Sequence, residues 1–152
     1  LPLRLMSNVR RNQMEHDVPP MTAAEVVHCF VDKINAADVE GIVGLMTDDH
    51  RFVDSLGAEV VGREEMRHGW REYFRMVPDY HVEVRETFAE GQVVVLVGVA
   101  HGTYAREGML RAEDAWRTPA AWRARVSGNR IAEWQVYADN EPIRRRMRVD
   151  SA

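Results

Sequence analysis

Apolar residues recur every three or four positions at Ala23, Val27, Phe30, Val31 and Ile34. That is the period of a helix with one buried stripe. Thr22, with Glu25 three residues later, forms a capping box in front of it. Residues 35–38 break the pattern. Asp38 can then cap a second, short helix whose apolar face is Val39, Ile42, Val43 and Met46. Asp48 and Asp49 fall where that helix should stop, and a short strand leads to Asp54. Residues 55–62 read as a loop with a glycine at each side. "REEMRHGWREYFRM" predicts a third helix, with Met66, Trp70, Tyr73, Phe74 and Val77 on one side and Pro78 ending it.

After Pro78 the period changes to two. Tyr80, Val82 and Val84 alternate with polar residues, and Gly91 marks a tight turn. "VVVLVGVAHGTY" is apolar on both faces, so a strand there should be buried on both. Ala120, Trp122, Ala124 and Val126 alternate with outward arginines, "SGNR" makes another hairpin turn, and "IAEWQVYAD" is the last strand. "NEPIRRRMR" can add a final basic helical turn. Helices first and hairpin strands afterwards predict an α+β domain with an antiparallel sheet.

The 152 residues suit one domain, placed at 21–152, with 1–20 read as a flexible, polar leader ending in Pro19-Pro20. A hydrophobic content of 45% supplies enough material for a core and a lined cavity. The net charge of −4 gives no clustered positive field, so nucleic acid is not the expected partner. The arginines at 144, 145, 146 and 148 read as a solvated face. No apolar run is long enough to span a bilayer, and no membrane partner is expected. A single cysteine, Cys29, excludes an internal disulfide framework and fits a cytoplasmic protein. The six histidines are scattered, without a two-histidine helix motif or a phosphate-binding glycine loop, so neither metal nor cofactor is expected.

Three stretches carry a resemblance: "DVEGIVGLMTDDHRFVDSLGAEVVGREEM", "VPDYHVEVRETFAEGQVVVLVGVAHGTY" and "VSGNRIAEWQVYAD". Together they resemble the SnoaL-like branch of the nuclear transport factor 2-like superfamily. The resemblance implies a cone, in which a strongly curved sheet wraps around a pocket closed by the N-terminal helices. It also implies a homodimer paired through the sheet. The first part of the chain is similar to the steroid isomerases of that superfamily, whose general-base aspartate falls on Asp54. Their oxyanion tyrosine falls on Phe30 and their second acid near Ala120 or Ala121, so the donors of that chemistry are replaced. The resemblance to epoxide hydrolases puts their three polar roles on His101, Val99 and Val136. The polyketide cyclases use a histidine and an aspartate on late strands, for which His101 and Asp139 are the candidates.

Phe52 and Asp54 stand two apart on a strand and so share a face. An aspartate in an apolar pocket is readied to shuttle a proton near neutral pH; the alternative is that it caps the loop at Ser55–Gly57. His101 continues the parity of Val95, Val97 and Val99, as an acid, base or donor, or as a histidine with one backbone partner. Asp139 is a third acid candidate, or the cap of the turn before Pro142. Phe30, Phe52, Trp70, Tyr73, Trp122 and Trp134 are the candidate lining for a flat apolar ligand. The expected function is binding of a small hydrophobic molecule, with isomerase, cyclase or dehydratase chemistry on it. The alternative is a non-catalytic ligand-binding or dimerisation module.

Overall fold

A computed structural model describes residues 20–148, so all of the expected leader except Pro20 lies outside the described residues. Helix α1 (Ala23–Asn35) starts as its capping box requires: Thr22 Oγ1 accepts from the Glu25 N–H at 3.1 Å and donates to the Glu25 carboxylate at 3.0 Å. Helix α2 (Val39–Gly44) is capped by Asp38, which accepts from the Gly41 N–H at 2.9 Å. It stops two residues earlier than the periodicity predicts, because Met46 already begins strand β1 (Met46–Val53). Asp48 and Asp49 therefore stand on an exposed part of that strand and not at a helix end. The predicted loop contains strand β2 (Glu59–Val61), followed by α3 (Arg63–Met76), β3 (His81–Glu90), β4 (Val93–Thr103), β5 (Ala115–Ser127), β6 (Arg130–Ala138) and α4 (Glu141–Arg148).

The six strands form one open sheet in the order β2-β1-β6-β5-β4-β3. It is mixed and not purely antiparallel, because β1 runs parallel to β6. No hairpin joins those two strands, so no turn forces them to oppose. Successive hairpins build the remainder, and Gly128 and Asn129 turn β5 into β6 with φ of 54° and 60°. A bulge in β3 between Val84 and Glu86 bends the sheet. Helix α1 packs across β3 to β6, burying Val26, Val27, Phe30 and Ile34 against Leu96, Trp122, Ala124 and Trp134. Phe30 meets the edge of Trp134 at 5.0 Å.

The β1–β6 seam holds a buried histidine. Pairing slips between Met46↔Ile131 and Arg51↔Glu133, which takes backbone bonds away from this part of the ladder. His50 stands in the gap, and its Nδ1–H donates to the Ile131 carbonyl at 2.7 Å. Burial holds its pKa below 6.5 despite that bond, so the folded chain keeps it neutral. The unfolded chain takes up a proton as pH falls below about 6.5, and the folded chain does so only at lower pH. Stability should therefore fall over that window, by at most about 1.4 kcal/mol per pH unit from this group. His50→Asn can offer the same donor and does not titrate. Denaturant unfolding should show the wild-type margin over this variant shrinking between pH 7 and pH 5. A constant margin would show that His50 titrates alike in both states.

Candidate functional site

Residues directly opposite across strands share a face. On the concave face, Ala100 lies beside Thr118, Ala120 beside Ala138, Trp122 beside Val136 and Phe52 beside Trp134. This face, together with α3 and α4, encloses a cavity of about 570 Å³. Its buried lining residues are Met66, Trp70, Ala100, Trp116, Thr118, Trp134 and Ile143. Its exposed lining residues include Val60, Glu65, His68, Arg144 and Met147. Asp54, Ser55 and Asn140 are half-buried parts of its wall.

Local chemistry explains why Asp54 is there. It follows the last residue of β1, and its Oδ1 accepts from the N–H groups of Leu56 and Ala58 at 2.8 and 3.0 Å. The turn it caps leads into β2. Both sequence readings of Asp54 thus meet in one residue, which lines the cavity and holds a turn. The Asn140 amide donates to Ser55 Oγ at 2.5 Å, tying that turn to the start of α4.

The other candidates are distributed unevenly. Phe52, Trp70, Tyr73 and Trp134 line the cavity. Phe30 and Trp122 are fully buried but lie outside its lining, filling the core between α1 and the sheet. His101 is on the convex face: it pairs with Arg117 on β5 and stacks on His81 of β3 at 5.0 Å. The row that shares its parity is the outward one, and Ala100 is the β4 residue that reaches the cavity. Burial, then the neighbouring His81, lowers the His101 pKa. Asp139 is exposed and accepts from the Glu141 N–H at 2.9 Å, the turn-capping geometry that Pro142 anticipates. Among the three acid–base candidates, Asp54 alone lines the cavity.

Sequence reasoning missed α4 as a wall. Ile143 and Met147 are four apart, so they share the side of the helix that faces the cavity and leave most of the arginines outside. Arg106 anchors the far end of α4: its guanidinium donates to the Arg146 carbonyl at 2.6 Å and pairs with buried Asp114 at 2.8 Å. Tyr80, which the alternation assigns to a strand, also lines the cavity and meets Tyr73 edge-on at 5.0 Å. Burial pushes the Tyr80 phenol up to about 12 and raises that of Tyr73 further, so both are hydroxyl donors at neutral pH. Among the described residues, no group of three or more histidine, cysteine or acidic side chains is placed to hold a metal ion. No described helix is long and apolar enough to cross a membrane.

The comparisons with known proteins agree on the fold. A ketosteroid isomerase-like-fold protein from Catenulispora acidiphila, solved with trimethylamine, superposes with a TM-score of 0.69 at 22% identity, covering 78% of this chain and 88% of that one. IdmH, a candidate polyketide cyclase from Streptomyces antibioticus, gives 0.70 at 19% identity, with 84% and 99% covered. A protein of unknown function with the nuclear transport factor 2-like fold, from Cytophaga hutchinsonii, gives 0.61 at 16% identity, with 81% and 95% covered. No curated protein matches the sequence. The SnoaL-like domain model matches residues 27–134, most of the folded chain, and the protein belongs to the SnoaL-like domain family.

Proposed function

We propose that the cavity binds a flat, mostly apolar small molecule and that Asp54 moves a proton on it, in an isomerisation, cyclisation or dehydration. The observation that carries this reading is a carboxylate in the wall of a cavity built mainly from aromatic and aliphatic side chains. A cavity of this size and lining suits a ligand of two to four fused rings, held by apolar contact and oriented by few polar groups. The polyketide cyclase description of a structural neighbour fits the same class of substrate. One observation favours a second reading, a binding module without chemistry: Asp54 Oδ1 is already engaged by two backbone N–H groups.

Val136 tests the binding step. It lies on the cavity wall beside Trp122, and a tryptophan there would fill the space. Val136→Trp should weaken binding of an apolar fluorescent probe, 1-anilinonaphthalene-8-sulfonate, by tenfold or more, measured by titration. Undiminished binding to a folded variant would place the ligand elsewhere.

The same reading includes a homodimer through the convex face. Val95 and Val97 on β4, with Ala121 on β5, are incompletely buried, although β4 reads as apolar on both faces. Phe88 and Tyr137 flank them and are 56% and 52% exposed. A second copy would bury this row, in the way sheet faces pack. Light scattering should give twice the chain mass, and Val95→Glu should return it to the monomer value. A monomeric wild type overturns the dimer.

A further inference from the structure

The cavity wall holds a guanidinium that the protein leaves unspent. Arg144 lines the cavity and is exposed, so a ligand oxygen can reach it. Its backbone N–H donates to the Asn140 carbonyl at 3.0 Å, which sets it one turn beyond Asn140. It belongs to the same stripe of α4 as Ile143 and Met147, the stripe that lines the cavity. The other arginines of α4 stand outside the lining and have acids beside them. Arg145 and Arg148 pair with Glu141. Arg106 holds the buried Asp114 carboxyl below the usual carboxylate range, and Arg146 adds to that effect. Among the described residues, no carboxylate pairs with Arg144 and no acceptor takes a hydrogen bond from its side chain. We propose that Arg144 is a ligand-binding residue and that the ligand is an organic acid, a flat apolar body whose carboxylate this guanidinium holds.

This inference rests on the cavity being a small-molecule site and adds the charge of what enters it. A guanidinium presents parallel N–H donors that match the two oxygens of a carboxylate. Its aliphatic stem can lie against an apolar ligand body while its head meets the charged group. The wall also contains two acids, so the charge it prefers depends on how each is already engaged. Asp54 Oδ1 accepts from the Leu56 and Ala58 N–H groups. Glu65 belongs to α3, where His68 follows three residues later and shares its face. Neither acid forms an ion pair with Arg144. A carboxylate on Arg144 would therefore put the ligand's charged end on the α4 wall and leave its body to the aromatic lining. Ser55 and Asn140 tie that wall to the Asp54 turn. Taking a charged group out of water costs hydration, so an acid outbinds its neutral analogue only where a cation compensates it.

2-Naphthoate, 2-naphthamide and 2-naphthamidine share one flat body and differ in the charge of a planar end group, which makes them suitable probes. Titration calorimetry at neutral pH and low ionic strength should show naphthoate binding about three- to tenfold more tightly than the amide, with the amidine weakest. Arg144→Gln should bring naphthoate down to the amide and leave the amide nearly unchanged. Arg145→Gln, outside the lining on the same helix, should keep the wild-type preference. Naphthoate binding no more tightly than the amide would overturn the acid site and leave the apolar cavity standing. Tightest binding by the amidine would also overturn it, giving the charge preference to Asp54 and Glu65. A preference that survives Arg144→Gln, or falls equally in both variants, would overturn the assignment to Arg144. Binding of none of the three probes would overturn the small-molecule site and this inference together. Should Arg144→Gln not fold, the order of the three probes on the wild type decides the question.

Discussion

Gly98→Ala should lower stability by about 3–5 kcal/mol, enough to reduce the melting temperature by roughly 10 °C. The reason is a close approach of backbone to backbone. At the bulge in β3, the Glu83 carbonyl bends over β4, and a Cβ built on Gly98 would stand 1.8 Å from that oxygen and 3.2 Å from the Arg85 nitrogen. Contacts that short cannot be relieved by turning a side chain, because both atoms belong to the backbone. Either the bulge must open or the strands must part, and the sheet loses the bend that closes it over α1. Gly69 gives the internal contrast. It sits on the exposed side of α3, where an added Cβ would meet nothing within 4 Å, so Gly69→Ala should be neutral or stabilise by up to about 1 kcal/mol. Thermal unfolding of the two variants side by side checks the pair. A Gly98→Ala protein as stable as Gly69→Ala would show that the Glu83 carbonyl swings freely and that the bulge is not what curves the sheet.

The elements were legible in the sequence wherever one period dominated. The α1 stripe and its capping box, the long amphipathic run of α3 ended before Pro78, and the alternation of β5 each follow from burial on one face. β4 was different. Its continuous valines hide which row faces inward, so parity alone sent His101 to the wrong side of the sheet. The structure settles this through β5: Thr118 and Ala120 oppose Ala100 and Gly98 on the concave face, and His101 opposes Arg117 on the convex one. Helix α4 was obscured for another reason. Four arginines in eight residues mask the two apolar positions, Ile143 and Met147, that make it a wall. The parallel pairing of β1 with β6 and the slip at His50 depend on contacts 81 residues apart, which no local pattern encodes. Asp54 was legible because the strand is short and ends in a turn, where face and cap both leave a local trace.

On the proposed reading, in which Asp54 moves a proton on the ligand, Asp54→Asn should reduce turnover by about 10²–10⁴-fold, the usual contribution of a positioned general base. The substitution suits this site because turn capping and the proposed proton transfer use the side chain differently. Turn capping needs only one oxygen that accepts from the Leu56 and Ala58 N–H groups, and the amide oxygen of asparagine can accept both. Proton abstraction needs the carboxylate, which asparagine lacks. Asp54→Asn should therefore keep its melting temperature close to the wild type while losing activity. Asp54→Ala should lose activity and also about 1–2 kcal/mol of stability with the two turn bonds. The turn is joined to α4 through Ser55 and Asn140, so loosening it should also weaken the proposed ligand binding in the cavity. Calorimetry, probe binding and turnover measured on both variants separate the cases. Full turnover by Asp54→Asn would show that the carboxylate is structural, and proton transfer would then have to be assigned to another group.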